Sequence, residues 1–275
     1  NISGKPDGEY AYNLKIIYGA RTVQQSGKMI VDNTLPELNI TSPHLSISEP
    51  PQYSVYSGDS LIITGTAKDA FFTGYTLSYA KGISPVESGY VEINNSRDQV
   101  ENNILGKFDI ANFEGMYTIR LKSIDKAGNE YSITREFIAD HKNPIAVITS
   151  PAENEVFKDE ISIIGTASDE NIESYNVYYG IGESPSDWNE IAHDIYPVID
   201  NYLVYYWNTG TLPLQSAVTI KLTVRDRAGH ESSSQVKVIF DKNPPTTTLK
   251  PIIPLYNDEI NNRKFANSSC KFKLE

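Results

Sequence analysis

Residues 218–225 read Val-Thr-Ile-Lys-Leu-Thr-Val-Arg, an uninterrupted alternation of apolar and polar side chains. Residues 117–122 (YTIRLK) alternate in the same way. A period of two places one face of a strand in a hydrophobic core and the other face in water. Both segments therefore predict half-buried β-strands.

The sequence around these two strands occurs twice. PELNITSP at 36–43 returns as PIAVITSP at 144–151, and DKAGNE at 125–130 returns as DRAGHE at 226–231. A repeat of ~100 residues is too long for a solenoid unit, so it indicates two tandem copies of a whole domain.

Both ends of the chain resemble parts of further copies. GEYAYNLK at 8–15 aligns with GMYTIRLK at 115–122, which predicts that residues 1–35 are the C-terminal part of a preceding Ig-like domain. Residues 36–143 and 144–244 are then two complete Ig-like domains. Residues 245–275 are the N-terminal part of a following one, and the chain is expected to be a piece of a longer protein.

The predicted fold class is all-β, with tandem Ig-like or fibronectin-III-like sandwiches. The chain is rich in Tyr, Ile, Val and Thr, has frequent Gly and Pro, and lacks a sustained helical apolar stripe. About seven strands per copy fit such a sandwich. In the first copy they are predicted near residues 38–42, 60–67, 74–81, 89–94, 104–110, 116–124 and 130–139.

Composition excludes several classes of partner. Lys and Arg number 24 against 35 Asp and Glu, a formal net charge of −11, which opposes binding to nucleic acid or to an anionic membrane surface. No run of 18 apolar residues occurs, so no membrane-inserting segment is predicted. The single cysteine, Cys270, rules out a disulfide framework. It is expected to be a buried thiol in a strand, or else a free exposed thiol.

The repeated Asp-x-Ala-Gly segments predict β-hairpin turns. Asp125 and Asp226 would accept hydrogen bonds from the amides that follow them, and Gly128 and Gly229 would adopt a positive φ that closes the turn. Metal ligation is the alternative role of these two aspartates.

Two further predictions concern particular glycine and tryptophan residues. Gly65 and Gly165 interrupt a strand in each copy, which predicts a bulge or a close backbone approach. Trp188 and Trp207 are expected to be packed aromatic side chains, with an exposed platform for a sugar as the alternative.

One segment resembles a catalytic motif. Gly58-Asp59-Ser60-Leu61 matches the nucleophile block of GDSL esterases, but no Asp is followed three residues later by the His that such an enzyme needs. The second copy has Lys158-Asp159-Glu160-Ile161 instead, which favours a turn entering a strand. The four histidines stand singly and are expected on the surface: His44, His141, His193 and His230. No catalytic or cofactor-binding residue is predicted, and the chain is not expected to be an enzyme.

The junctions between copies resemble the Asp and Asn linkers through which cadherins bind calcium. Calcium prefers six to eight oxygen ligands, and each junction supplies one carboxylate, one amide and an opposing lysine. Asp69 or Asp169 could add ligands together with Asp125 or Asp226 only if they lie at the same end of the sandwich. A proline-stiffened polar linker without a tightly held metal is therefore the expectation. If interdomain calcium does bind, the expected ligands are Asp140, Asn143, Asp241 and Asn243.

The pattern Tyr-x-x-x-Tyr-Gly-x-Gly-x-x-Pro-x-x-Trp at 175–188, followed by Val-x-Asp-x-Ala-Gly at 224–229, resembles the bacterial Ig-like repeats of large secreted and surface proteins. Residues 256–274 resemble the opening of the Ig-like repeats of a spirochaetal outer-membrane-associated family.

These resemblances imply an extracellular or cell-surface stalk whose partners are the neighbouring Ig-like domains. One alternative is an adhesion module for a host protein or glycan. The other is a set of accessory domains of a secreted hydrolase such as a subtilisin-like protease.

Overall fold

A computed structural model of the protein describes residues 4–44, 53–244, 249–251, 256–258, 263–265 and 272–274. The described chain is built from β-strands, with one short 3-10 helix at Glu87–Gly89. The all-β fold class predicted from the alternating segments is therefore confirmed. No helix of the described residues is long and apolar enough to cross a membrane.

An antiparallel hairpin comes first. Its strands are β1 (Gly8–Tyr18) and β2 (Arg21–Val31), with Gly8 opposite Val31 and Tyr18 opposite Arg21.

Residues 37–139 form the first sandwich. A three-stranded sheet of order β3-β5-β8 contributes one layer, and a five-stranded sheet of order β4-β10-β9-β6-β7 contributes the other. The strands are β3 (Glu37–Ser42), β4 (Ser54–Tyr56), β5 (Ser60–Lys68), β6 (Phe72–Lys81), β7 (Val91–Ser96), β8 (Val100–Asp109), β9 (Gly115–Asp125) and β10 (Glu130–Ala139).

Residues 145–240 repeat this arrangement. The three-stranded sheet has the order β11-β13-β16 and the five-stranded sheet the order β12-β18-β17-β14-β15. The strands are β11 (Ile145–Ser150), β12 (Glu155–Phe157), β13 (Glu160–Ser168), β14 (Ile172–Ile181), β15 (Asn189–Asp194), β16 (Val198–Asn208), β17 (Ser216–Asp226) and β18 (Glu231–Phe240).

All seven strands predicted for the first copy are present, but each sandwich has an eighth. β4 and β12 are three residues long and pair in parallel with β10 and β18. A strand this short shows no alternation, because alternation needs about four residues to be recognised. Neither strand is therefore predicted from the sequence.

The alternating segments pack largely as predicted. Val218, Ile220, Leu222 and Val224 are fully buried on one face of β17, while Lys221, Thr223 and Arg225 are not. Thr219 and the matching Thr118 on β9 depart from the pattern, because both are 1% exposed. In the first sandwich, both sheets contribute to one apolar cluster. Its largest fully buried side chains are Ile63, Leu77, Leu105, Ile110, Ile119, Leu121 and Phe137.

The two cores differ in the position of a phenylalanine side chain along one strand. Phe137 and Ala139 on β10 correspond to Val238 and Phe240 on β18, since each pair occupies the same register against its short parallel neighbour. All four side chains are buried. The phenyl ring has moved two positions along the same strand face, which keeps the total apolar volume similar, as close-packed interiors require.

Four short strands are described beyond the second sandwich. β19 (Leu249–Pro251) pairs with β22 (Phe272–Leu274), and β20 (Tyr256–Asp258) pairs with β21 (Arg263–Phe265). Cys270 lies outside the described residues, as does most of the segment predicted to begin another domain.

By its internal contacts, the chain divides into two compact units. The first comprises Asn1–Pro144 together with Asp169–Glu173 and Arg225–Ser232. The second comprises Ile145–Ser168, Ser174–Val224 and Ser233–Glu275.

Candidate functional site

The GDSL-like segment forms the entry to a strand. Ser60 is the first residue of β5, and the Asp59 carbonyl accepts the Ile110 amide at 2.9 Å. The corresponding Asp159 carbonyl accepts both the amide and the hydroxyl of Thr209, at 3.2 and 2.7 Å. Among the described residues, no hydrogen bond joins the Ser60 hydroxyl to a histidine, so this geometry supports the turn interpretation.

The histidines divide into two groups. His44 and His193 are exposed, as predicted. His141 is half-buried, with Nδ1 3.0 Å from the Phe113 carbonyl, and His230 is half-buried, with Nδ1 2.7 Å from Asp226 Oδ2. His141 and His230 are therefore only partly exposed, and both rings have polar partners that sequence spacing does not reveal.

The β9–β10 turn confirms the predicted role of its aspartate. Asp125 is 4% exposed, and its Oδ1 accepts the amides of Ala127 and Asn129 at 2.7 and 2.9 Å. Its Oδ2 accepts the Asn129 side-chain amide at 2.7 Å. Burial by itself would raise the pKa of Asp125, but the hydrogen bonds from Asn129 and Ala127 outweigh it and hold the pKa below the usual value.

The β17–β18 turn has the same construction. Asp226 is completely buried and accepts the His230 amide at 2.8 Å. The imidazole of His230 takes the place that the Asn129 amide has in the first turn. Gly128 and Gly229 have φ values of 93° and 95°, so the predicted positive φ is confirmed at both turns.

Three aspartates of the first unit come together at one end of the first sandwich. Asp32 follows β2, Asp69 follows β5, and Asp125 ends β9. One carboxylate oxygen from each lies within 4.8 Å of the others. Two unit charges at that distance repel each other by on the order of 3 kcal/mol at an effective dielectric constant of about 20. We call these three residues the Asp32 cluster.

Several hydrogen bonds fix the members of the Asp32 cluster. Asp69 Oδ1 accepts the Phe71 amide at 2.6 Å, and the Asn129 side-chain amide donates to the Asp32 and Thr34 carbonyls at 3.1 and 3.2 Å. Asp32 Oδ1 accepts the Thr34 amide at 3.1 Å. Asp32 Oδ2 is enclosed, and no described residue donates to it. No ion pair among the described residues involves any of the three carboxylates.

A second group, also within the first unit, is partly related to the first by the repeat: Asp140 and Asp226 match Asp32 and Asp125, whereas His230 matches Asn129. Asp140, Asp226 and His230 place one ligand atom each within 4.8 Å of one another. Burial raises the pKa of the neighbouring Asp169, and the negative charges of Asp140 and Asp226 raise it further. The Asn171 side-chain amide donates to Asp140 Oδ2 at 2.6 Å.

The predicted calcium ligands lie at two separate junctions, Asp140 with Asn143 and Asp241 with Asn243. Asp140 belongs to the second cluster, whereas Asp241 Oδ1 accepts the Asn243 amide at 2.9 Å in a local turn. Asn143 is exposed. The sequence analysis missed the Asp32 cluster because its members are far apart in sequence, and it named Asp69 and Asp125 only under the condition that they share one end of the sandwich.

Both tryptophans are packed, as predicted. The Trp207 ring lies 4.9 Å from the Tyr179 ring, centroid to centroid, and the Lys221 ammonium lies 4.1 Å over the Trp188 ring. Neither ring is an exposed platform, since each is only partly accessible.

The exposed aromatic surface of the second unit lies beside Trp207 on β16. Tyr202, Tyr205 and Tyr206 are 46%, 74% and 56% exposed. They line a cleft of about 270 Å³ with Ser162 of β13. The three steps from Val204 to Trp207 on β16 oppose only two steps on β13, from Ile163 to Ile161, so a bulge lies at Tyr205 and Tyr206. We call these three residues the tyrosine surface.

Comparison with known proteins concerns the fold. No family model and no curated protein matches the sequence. The fibronectin(III)-like modules of Clostridium thermocellum CbhA give a TM-score of 0.41 at 14% identity, covering 74% of this chain and 94% of that structure.

Two further solved structures are similar to this chain. A tetra-tandem repeat from the extending region of a large adhesion protein gives 0.37 at 16% identity, covering 95% of this chain and 62% of that one. The FN1-FN3 domains of chicken CNTN1 give 0.36 at 14% identity, covering 85% and 76%. At these scores the likeness is limited, and the fold assignment rests on the strand order of the two sandwiches.

Proposed function

We propose that this chain is a non-catalytic module of tandem Ig-like, fibronectin-III-like repeats that acts as a spacer in a large bacterial surface or secreted protein. Residues 36–143 and 144–244 are its two complete domains in this proposal, and neighbouring domains of the same kind are its first partners. The main observation in support of this proposal is that the recurring polar side chains make the same structural contacts in both sandwiches.

Those contacts recur at matching positions. The Thr118 hydroxyl donates to the Gly82 carbonyl at 2.7 Å, and the Thr219 hydroxyl donates to the Gly182 carbonyl at 2.8 Å. Asp125 and Asp226 both cap their hairpin turns. Side chains that recur in order to satisfy the backbone stabilise a repeated fold, which supports a structural role for these positions.

Small-angle scattering of the 275-residue chain tests the spacer role. Only five residues separate Ala139 from Ile145, a reach of at most ~18 Å. Such a short, proline-ending linker favours copies arranged end to end. An elongated particle supports the proposal, and a compact particle with the copies side by side contradicts it.

The tyrosine surface favours adhesion as a second function. Tyrosine rings offer rigid, amphipathic contact area at a low entropic cost, and they are enriched at recognition surfaces. The first copy has Ile104 and Lys107 at the positions of Tyr202 and Tyr206, so binding here would be a property of the second copy alone.

An array of glycans and matrix proteins tests this second function. Binding that is present in the natural chain and lost in Tyr205→Ser with Tyr206→Ser would support it. Tyr131→Ser is the matched control, because Tyr131 is 40% exposed on the first sandwich, away from the tyrosine surface. Binding unaffected by the double substitution would exclude this surface.

A further inference from the structure

We propose that the tyrosine surface binds an arginine side chain of a partner protein, and that the Glu160 carboxylate pairs with its guanidinium group. This inference rests on adhesion, the second function proposed above, and it names the chemistry of the partner. The cleft at the tyrosine surface is lined by three aromatic rings, the Glu160 carboxylate and Ser162, all within the second unit. Aromatic faces together with a carboxylate attract an organic cation.

The sheet that carries the cleft has no cation of its own. Its three strands, β11, β13 and β16, contain no Lys or Arg, whereas Glu160 on β13 and Asp200 on β16 are both exposed. Among the described residues, neither of these two carboxylates takes part in an ion pair. The net charge of −11 adds a long-range attraction for a positive partner. The charge of this surface therefore complements a cation.

The equivalent sheet of the first sandwich is charged differently. Its strands β5 and β8 carry Lys68 and Lys107. Lys68 Nζ lies 2.5 Å from Glu101 Oε1 and 3.6 Å from Glu37 Oε2, so these carboxylates are paired within the sandwich. The first copy shows that the fold needs neither the exposed tyrosines nor the unpaired carboxylate. This difference favours a binding role for them in the second copy.

Apolar side chains are exposed elsewhere on the same sheet. Ile145 and Val147 on β11 are 54% and 42% exposed, and the half-buried Ile164 on β13 lies opposite Tyr202. The matching positions of the first sandwich are all polar: Glu37, Asn39 and Thr64. Exposed apolar area beside polar groups is typical of protein-binding surfaces, so it favours an arginine carried by a protein over a free small cation.

The size and shape of the cleft suit one guanidinium group. Its volume is about 270 Å³, below the roughly 300 to 1,000 Å³ of sites that enclose small-molecule ligands. The rings of Tyr202 and Tyr205 meet edge to face, 4.9 Å apart and at 69°, so the ring that contributes its edge keeps its own faces free. A guanidinium plane can stack on such a face while its N–H groups donate to Glu160. The ammonium of lysine is a compact, strongly hydrated charge and combines these contacts less well.

The test uses a blocked Gly-Arg-Gly-Arg-Gly peptide, titrated into the 275-residue chain labelled with ¹⁵N-tyrosine. NMR should show saturable shifts of the Tyr205 and Tyr206 amide signals. The same peptide with citrulline in place of arginine has nearly the same shape without the charge, and it should bind about tenfold more weakly. Equal binding of the two peptides would overturn the proposal.

Variants of the cleft identify where the arginine peptide binds. Glu160→Gln should weaken its affinity about fivefold, and Tyr205→Ser with Tyr206→Ser should weaken it about tenfold, as followed on the remaining tyrosine signals. Glu92→Gln and Tyr131→Ser replace exposed side chains of the first sandwich and should leave the affinity unchanged. Binding that the cleft variants do not weaken would be general attraction to an acidic chain, and it would overturn the proposal.

The array of glycans and matrix proteins separates this inference from the adhesion function on which it rests. Tyrosine-dependent binding on the array without binding of the arginine peptide would leave adhesion standing and overturn the cationic partner. If neither the array nor the peptide shows tyrosine-dependent binding, both proposals fail. Binding of the arginine peptide that is weakened by Glu160→Gln and by the double tyrosine substitution supports both.

Discussion

At the scale of single residues, the hairpin turns show how a short motif becomes a fixed structure. Asp125 caps two backbone amides and Gly128 supplies the positive φ that lets the chain reverse. The space around Gly128 is open, since an added Cβ would meet nothing within 4 Å. The glycine is therefore required by backbone conformation and not by packing.

This distinction leads to a prediction for Gly128. Gly128→Ala should lower the free energy of unfolding by about 1 kcal/mol, and Gly128→Val by more, because L-residues are strained at positive φ. Gly58→Ala is the control: its φ is not positive, and an added Cβ would have only an ordinary contact at 3.9 Å. Urea midpoints unchanged by both Gly128 substitutions would show that the turn relaxes to another conformation.

Asp125 gives a prediction of pH dependence. The pKa of Asp125 in the folded protein lies below the usual value of an aspartate side chain. When the pH falls below about 4, Asp125 becomes protonated in the unfolded chain but stays ionised in the folded protein. The contribution of Asp125 to stability is therefore present above that pH and lost below it. In chelator, Asp125→Asn should therefore lose less stability than the natural chain between about pH 6 and pH 3.

Urea unfolding at a series of pH values measures this difference. Asp194→Asn should follow the natural chain, because it removes a charge from an exposed turn. Parallel curves for the natural chain and Asp125→Asn would contradict the role given to the hydrogen bonds from Asn129 and Ala127.

At the scale of elements, the strand interruptions at Gly65 and Gly165 proved to be both bulges and close approaches. The pairing register shifts beside each glycine. A Cβ on Gly65 would lie 2.0 Å from the Asn39 carbonyl oxygen, and one on Gly165 would lie 2.0 Å from that of Val147. In both sandwiches the neighbouring strand of the three-stranded sheet therefore packs directly against the glycine backbone.

Gly65→Ala should consequently be far more damaging than Gly128→Ala. The clash is with backbone of β3, which cannot rotate away, so we expect a loss of about 3 kcal/mol. Gly58→Ala again serves as the control, with little expected change. Equal urea midpoints for Gly65→Ala and the control would mean that β3 moves freely away from β5.

The elements also show where sequence reasoning succeeds and where it ends. Alternation located the long strands because it reports burial directly, as on β17, where every second side chain is enclosed. The three-residue β4 carries too few positions to alternate. The Asp32 cluster depends on the ends of three strands meeting at one end of a sandwich, and no local pattern encodes that meeting. The bulge that exposes Tyr205 depends on one extra residue in β16 relative to its partner, which only the pairing reveals.

At the scale of the whole molecule, the repeat raises the question of how many parts unfold independently. Each sandwich has its own buried side chains at matching positions, such as Leu121 on β9 and Leu222 on β17, both completely buried. The compact units do not coincide with the repeat boundaries, because residues 169–173 and 225–232 group with the first unit. Sequence repetition and internal contacts therefore give different divisions of the chain.

A matched pair of core truncations decides between them. Leu121→Ala and Leu222→Ala should each cost about 2 to 5 kcal/mol, because each removes buried methyl groups and leaves a cavity. If the domains are 36–143 and 144–244, calorimetry should resolve separate transitions, with Leu121→Ala lowering one and Leu222→Ala lowering the other. Each variant serves as the control for the other. If either substitution lowers both transitions together, the two sandwiches unfold as one cooperative unit, and the proposed domain boundaries do not describe how the protein unfolds.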